Sequence, residues 1–144
     1  MPYWYKIEKD LGCVFAKRTG PYVHDEWMAI LKTINNDANL RPGMNRLYDY
    51  RDAQGAPSKE ETFDQVRYFS EMDKILGPRK VAMVAPRPIT YGMGRMYGTL
   101  RDGSAADIRQ FKTIDDAMVW LKFPAGFGDP FPSDEALVAM ESTR

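Results

Sequence analysis

Few residues in this chain have the type and spacing that chemistry needs. His24 is the lone histidine and Cys13 the lone thiol. A nucleophile–base pair would require them in hydrogen-bond contact, and nothing in their separation predicts that. Asp49 and Asp52 stand three apart on a predicted strand, hence on opposite faces, and do not form an acid–base pair. No cluster of His, Cys, Asp and Glu has metal-ligand spacing, so no cofactor or metal is expected. Two features remain. Ser58 opens Ser-Lys-Glu-Glu, the capping box of a helix start, and a phosphate on it would sit favourably at that helix N-terminus. Arg51 and Asp52 at the end of one strand, with Arg87, Thr90, Tyr91 and Arg95 at the start of a later helix, would gather at one sheet edge and offer an anion or small-metabolite pocket. The plainer alternative pairs Arg51 with Asp52 as a solvated couple and leaves Arg87 in water.

The element that positions these residues is the stretch Arg79 to Leu100. Lys80 to Ala85 is a nearly continuous apolar run, as in a strand covered on both faces. Pro86-Arg87-Pro88 stops it, and Ile89, Met93, Met96, Tyr97 and Leu100 recur at helical spacing. Gly92 and Gly94 inside that helix cost about 1 kcal/mol each relative to alanine, which points to close packing on the sheet. Upstream, Tyr3 to Glu8 and Cys13 to Arg18 alternate around the turn Asp10-Leu11-Gly12 and predict a hairpin. Val23, Trp27, Ile30, Leu31 and Ile34 mark a first helix, Arg46 to Arg51 a third strand and Asp52 to Pro57 a loop. Phe63, Val66, Phe69, Met72, Ile75 and Leu76 mark a second helix closed by Gly77-Pro78. Asp107 to Phe111 makes the last strand, and Asp115 is the expected N-cap of the next helix, with Ile114 stapled on Val119.

A chain of 144 residues, 44% hydrophobic and with 20 basic against 20 acidic side chains, fits one globular domain and offers no net field for a nucleic-acid backbone. One cysteine and no apolar leader suit a reducing cytoplasm, and no apolar run is long enough to span a bilayer. Of the nine methionines, Met72, Met83, Met93, Met96 and Met118 fall at core positions, as adaptable filler or as the lining of an apolar cavity. The expected division is a domain over 1–122 and a tail over 123–144. In the tail, proline and glycine forbid regular structure while Phe123, Phe127 and Phe131 demand a groove, on the domain or on a partner subunit in a homodimer. Ser133 caps one short helix within it.

In order, the segments Arg41–Asp52 (RPGMNRLYDYRD), Gly77–Pro86 (GPRKVAMVAP), Tyr91–Tyr97 (YGMGRMY) and Phe111–Leu121 (FKTIDDAMVWL) resemble the STAS-like group, the bacterial SpoIIAA-like set of small domains. The resemblance implies an α/β fold with a mixed sheet of about five strands and about four helices packed mainly on one side. It also implies a binding or regulatory module rather than an enzyme. Anti-sigma-factor antagonists of this fold dock a kinase around the loop after the third strand and are switched by a phosphoserine in an Asp-apolar-Ser motif. The matching region here, Asp49 to Ser58, lacks the tandem serines and keeps Ser58 as its only hydroxyl apart from Tyr50. The reading is therefore a STAS-like module whose working surface is Asp49 to Ser58 with Pro86 to Tyr91. One alternative is a binder of an apolar or anionic metabolite between the third helix and the sheet. The other is an enzyme using Tyr91, Arg95 or His24.

Overall fold

The computed structural model describes residues 3–142. Strands β1 (Tyr3–Glu8) and β2 (Cys13–Arg18) form the hairpin, paired antiparallel with Tyr3 opposite Arg18 and Glu8 opposite Cys13. The turn closes through Gly12, whose φ of 61° suits a residue without a Cβ. Strands β4 (Asn45–Asp49), β6 (Arg79–Val84) and β7 (Ala106–Phe111) follow in parallel, giving one five-stranded mixed sheet in the order β1-β2-β4-β6-β7. Two further pieces, β3 (Gly20–Pro21) and β5 (Ala53–Gln54), pair parallel as a small second sheet beside the strand ends.

The described residues form five helices: α1 (His24–Asn35), α2 (Lys59–Leu76), α3 (Pro88–Leu100), α4 (Ile114–Trp120) and α5 (Asp134–Ser142). The first three bring Trp27, Leu31, Ile34, Phe69 and Tyr97 onto the face carrying Val14, Ala16, Tyr48, Val81 and Met83. On the other face, α4 and the segment after it set Met118, Leu121 and Phe131 against Phe15, Leu47 and Val84. Covering both faces buries every residue of β2, although its apolar pattern alternates. The tail aromatics seat on the chain's own sheet: the Phe15 ring lies 5.7 Å from Phe123, 6.4 Å from Phe127 and 5.8 Å from Phe131.

Local chemistry explains most element ends. Ser58 accepts from the Glu61 backbone N–H at 3.1 Å and Glu61 accepts from the Ser58 N–H at 2.9 Å, so α2 starts on a complete capping box. Three expectations are corrected. The N-cap of α4 is Thr113, whose extended backbone lets its hydroxyl accept from the Asp116 N–H at 3.2 Å; Asp115 sits inside the first turn, and Val119 is 76% exposed and staples nothing. Ile75 is also exposed, because it and Leu76 are adjacent on a helix and only Leu76 turns inward. The third predicted strand ends at Asp49 rather than Arg51: the Tyr50 N–H makes the last ladder bond, to the Val84 carbonyl at 2.9 Å, and the chain then turns, the Arg51 N–H donating to the Asp49 side chain at 2.9 Å and the Ala53 N–H to the Tyr50 carbonyl at 3.1 Å. Gly94 fits the packing explanation: a Cβ there would run into the Gln110 carboxamide on β7. Gly92 faces open space.

Candidate functional site

Two clusters of charge are buried on opposite faces of the sheet. At the ends of β2 and β4, Lys17 Nζ lies 3.3 Å from Asp49 and 2.8 Å from Asp52. Arg51 donates to both Asp49 oxygens from Nε and Nη2, each at 3.0 Å, and reaches Asp129 at 2.8 Å. Asp52 and Asp49 raise the Lys17 ammonium above its usual range despite the opposing effect of burial, and Asp49 with Asp129 does the same for Arg51. Arg51 and Asp52 are therefore not a couple; each is held by other partners. Asp49 and Asp52 are not on opposite faces either. Period-two alternation stops where the strand stops, and the turn after Asp49 brings both carboxylates to one ammonium.

The other expected site residues do not converge. Arg87 donates to the Ala53 carbonyl at 3.1 Å and ties the start of α3 to β5. Ser58 is exposed and occupied by the cap. Tyr91 and Arg95 line an open groove between α3 and β7, with Lys112 5.4 Å above the Tyr91 ring. Thr90 is buried, donates to the Arg87 carbonyl at 3.1 Å and lines a different space, a cleft under α2 and α3.

That cleft holds the second charged cluster. It has two narrow lobes with about 20 and 30 Å³ of free space, and both are walled by Trp27, Tyr50, Gln65, Met83 and Tyr97. Its floor is the inward face of β2, β4 and β6; its roof is α2 and α3; Ala56 and Pro57 of the loop before α2 lie at its edge. Arg18 projects into the larger lobe. The residue is 3% exposed, and its Nε and Nη1 have no hydrogen-bond partner among the described residues. The guanidinium lies 4.7 Å from the Tyr22 ring centroid and 4.8 Å from that of Tyr50, which supplies cation–π attraction but no counter-charge. Burial lowers the pKa of Arg18 and raises those of the Tyr22 and Tyr50 hydroxyls, so the surrounding phenols stay neutral.

A hydrogen-bonded chain borders the same lobe. Gln65 Nε2 donates to the Tyr22 hydroxyl at 2.9 Å, leaving that hydroxyl to donate to His24 Nδ1 at 2.7 Å; His24 Nε2 then donates to Asp64 at 2.7 Å. The hydrogen bond from His24 holds Asp64 below the usual carboxylate range. The chain fixes Tyr22 beside Arg18 and leaves His24 no free nitrogen. Cys13 packs on the opposite face of the sheet with Phe15 and Leu47, so no Cys–His pair exists. Among the described residues no group of three or more His, Cys, Asp or Glu could hold a metal ion, and no helix is long and apolar enough to cross a membrane.

Arg18, Tyr22, Tyr50, Gln65 and Tyr97 were not singled out from the sequence. A signal for the first was present. In β2 the predicted inward face is Val14 and Ala16, and Arg18 is next in that period; in β4, Arg46, Tyr48 and Tyr50 share the equivalent face. A cation placed by register on a face that must be buried is an anomaly that alternation alone exposes. Gln65 and Tyr97 carried no such mark.

No protein-family profile matches the chain, and no curated protein matches it. A solved structure does: an uncharacterized protein of the DUF3478 family with a SpoIIAA-like fold, from Shewanella loihica PV-4. It is 18% identical, with a TM-score of 0.56 over 83% of this chain and 93% of that one. At that identity the likeness concerns the fold, and the chain has a SpoIIAA-like fold.

Proposed function

We propose that this protein is a non-enzymatic binding module that seats a small carboxylic acid on Arg18 in the cleft beneath α2 and α3. The observation that carries this is Arg18, a permanent charge buried among aromatic rings with two free N–H groups. A guanidinium does not shed its proton at ordinary pH, so an unpaired one in a low-dielectric site is relieved by an anion. A carboxylate answers Arg18, and the close walls of Trp27, Met83 and Tyr97 restrict it to a short acid. Thermal shift and calorimetry with a panel of short carboxylic acids test the reading. Acids should raise the melting temperature of the wild type, the corresponding alcohols should not, and Arg18→Met should abolish the response while staying folded. Equal response to acids and alcohols would sink it.

Docking of a protein partner on Asp49 to Ser58 and Pro86 to Tyr91, or of a second copy of the chain, is the rival reading. It is favoured by the exposure of Pro86, Arg87, Pro88 and Ser58. Against it, the charges of that surface are already paired internally through Lys17, Asp49 and Asp129. Reversing Arg87 with Arg87→Glu would cost affinity only if the rival holds.

A further inference from the structure

Strand β7 is one edge of the main sheet. Its parallel ladder to β6 uses alternate residues: the Arg79 N–H donates to the Ala105 carbonyl at 3.1 Å and the Ala85 N–H to that of Phe111 at 2.9 Å, so Asp107, Arg109 and Phe111 turn their peptide groups toward β6. Ala106, Ile108 and Gln110 turn theirs outward. The Ser104 hydroxyl meets those of Ala106, at 3.3 Å each. None of the described residues hydrogen-bonds the backbone N–H or C=O of Ile108 or Gln110. Beside them, between β7 and α3, runs an open groove of about 410 Å³. Gly94 and Gly98 seat α3 directly on Gln110 and Ile108, and the groove leaves the outer side of the strand accessible.

An exposed sheet edge is a template for another strand, and charge of one sign is a common deterrent. Here the charges have two signs and their order is self-complementary. Asp107 and Arg109 flank Ile108 and share the face opposite to it, with Arg109 Nε 3.7 Å from Asp107 and both side chains more than half exposed. In an antiparallel pairing of two β7 strands centred on Ile108, Asp107 stands opposite the partner's Arg109, and Arg109 opposite the partner's Asp107.

Backbone parity favours the same centre. Outward-facing residues must oppose one another, as Ile108 does with the partner's Ile108 and Ala106 with the partner's Gln110. The two charged pairs then occupy the non-hydrogen-bonded positions, where side chains approach most closely. A shift of the centre by one residue presents inward-facing peptide groups to the partner. A shift by two separates the charges.

We propose that a second copy of this chain docks edge to edge along β7, continuing the sheet across a two-fold axis at Ile108. The α3 helices of both copies then lie on one face of the joined sheet. This surface is separate from the Arg18 cleft, and neither proposal depends on the other.

Sedimentation equilibrium of the full chain over micromolar to millimolar concentrations tests it. The wild type should show a reversible monomer–dimer equilibrium. Asp107→Arg and Arg109→Asp each set like charges against one another in both pairs, and each should weaken the dimer about tenfold or more. An equimolar mixture of the two variants restores opposite charges at both pairs and should dimerise as the wild type does. Ile108→Pro, which removes an outward N–H and none of the β6 ladder, should abolish association. A wild type that stays monomeric throughout overturns the proposal. So does a dimer that both reversals leave equally tight, or a mixture that fails to recover what each variant alone has lost.

Discussion

Lys17 and Arg18 are neighbours on β2, each almost fully buried, and their side chains leave the strand on opposite faces. Lys17 meets two carboxylates, and the second cation on its side, Arg51, is held by Asp49 and Asp129. Arg18 meets three aromatic rings and, among the described residues, no acid. The same strand thus buries one charge that the fold completes by itself and one that it leaves open. The difference is one of completion. A closed network needs nothing from outside, while an open buried cation costs stability that an added anion would return.

The sharpest way to break this comparison is to delete a charge from each side. Asp49→Ala leaves the buried Lys17 with the half-exposed Asp52 alone and frees one side of Arg51, and should cost about 3 kcal/mol in urea unfolding. A loss under 1 kcal/mol would show that the paired side is not closed in solution. Alkaline titration comes next in size. Burial pushes the Cys13 thiol, on the Lys17 side, up to about 12. The folded chain keeps that proton where the unfolded chain releases it, so stability is whole below about pH 9 and then falls by up to about 1.4 kcal/mol per pH unit. Tyr22, Tyr50 and Tyr97 on the arginine side are likewise raised by burial, but their unfolded forms ionise only near pH 10. Unfolding measured between pH 9 and 10 should therefore flatten in Cys13→Ala, while the steeper fall above pH 10 persists.

Arg18→Met should move stability the other way from Asp49→Ala. Removing an unpaired buried cation while keeping its volume should leave the unliganded protein unchanged or raise its stability by about 1 kcal/mol, after the lost cation–π contacts are set against the relieved charge. A large loss would mean that Arg18 is already satisfied. The smallest effect concerns the roof of the cleft. Gly92→Ala, with open space around its Cβ, should stabilise α3 by about 0.5–1 kcal/mol, whereas Gly94→Ala should lose that gain against Gln110. Equal gains at both positions would mean that α3 does not press on β7.

Much of the fold was legible because it depends on local rules. The hairpin follows from alternation around Asp10-Leu11-Gly12, α2 from its capping box and the Gly77-Pro78 stop, and the parallel strand β6 from its unbroken apolar run. Errors fell where two local signals competed. Thr113 and Asp115 both suit an N-cap, and only the chain path into α4 decides between them. The candidate site was less legible. Arg51, Asp52, Arg87, Thr90, Tyr91 and Arg95 were grouped by their place at one sheet edge, and the turns after β4 and β6 disperse them among a paired network, a bridge to β5, the cleft and an outer groove.

By itself, the sequence determined the kind and order of the elements and which face of each strand must be buried, since periodicity and end signals act within a few residues of chain. Only the tertiary structure decided which buried charges find partners. Asp49 reaches Lys17 across 32 positions of sequence and Asp73 reaches Arg101 across 28, while none of the described residues reaches the Nε and Nη1 of Arg18. Complementary charge is a matter of ångströms between distant segments, and the register of β2, β4 and β6, which sets those distances, is written in no one of them.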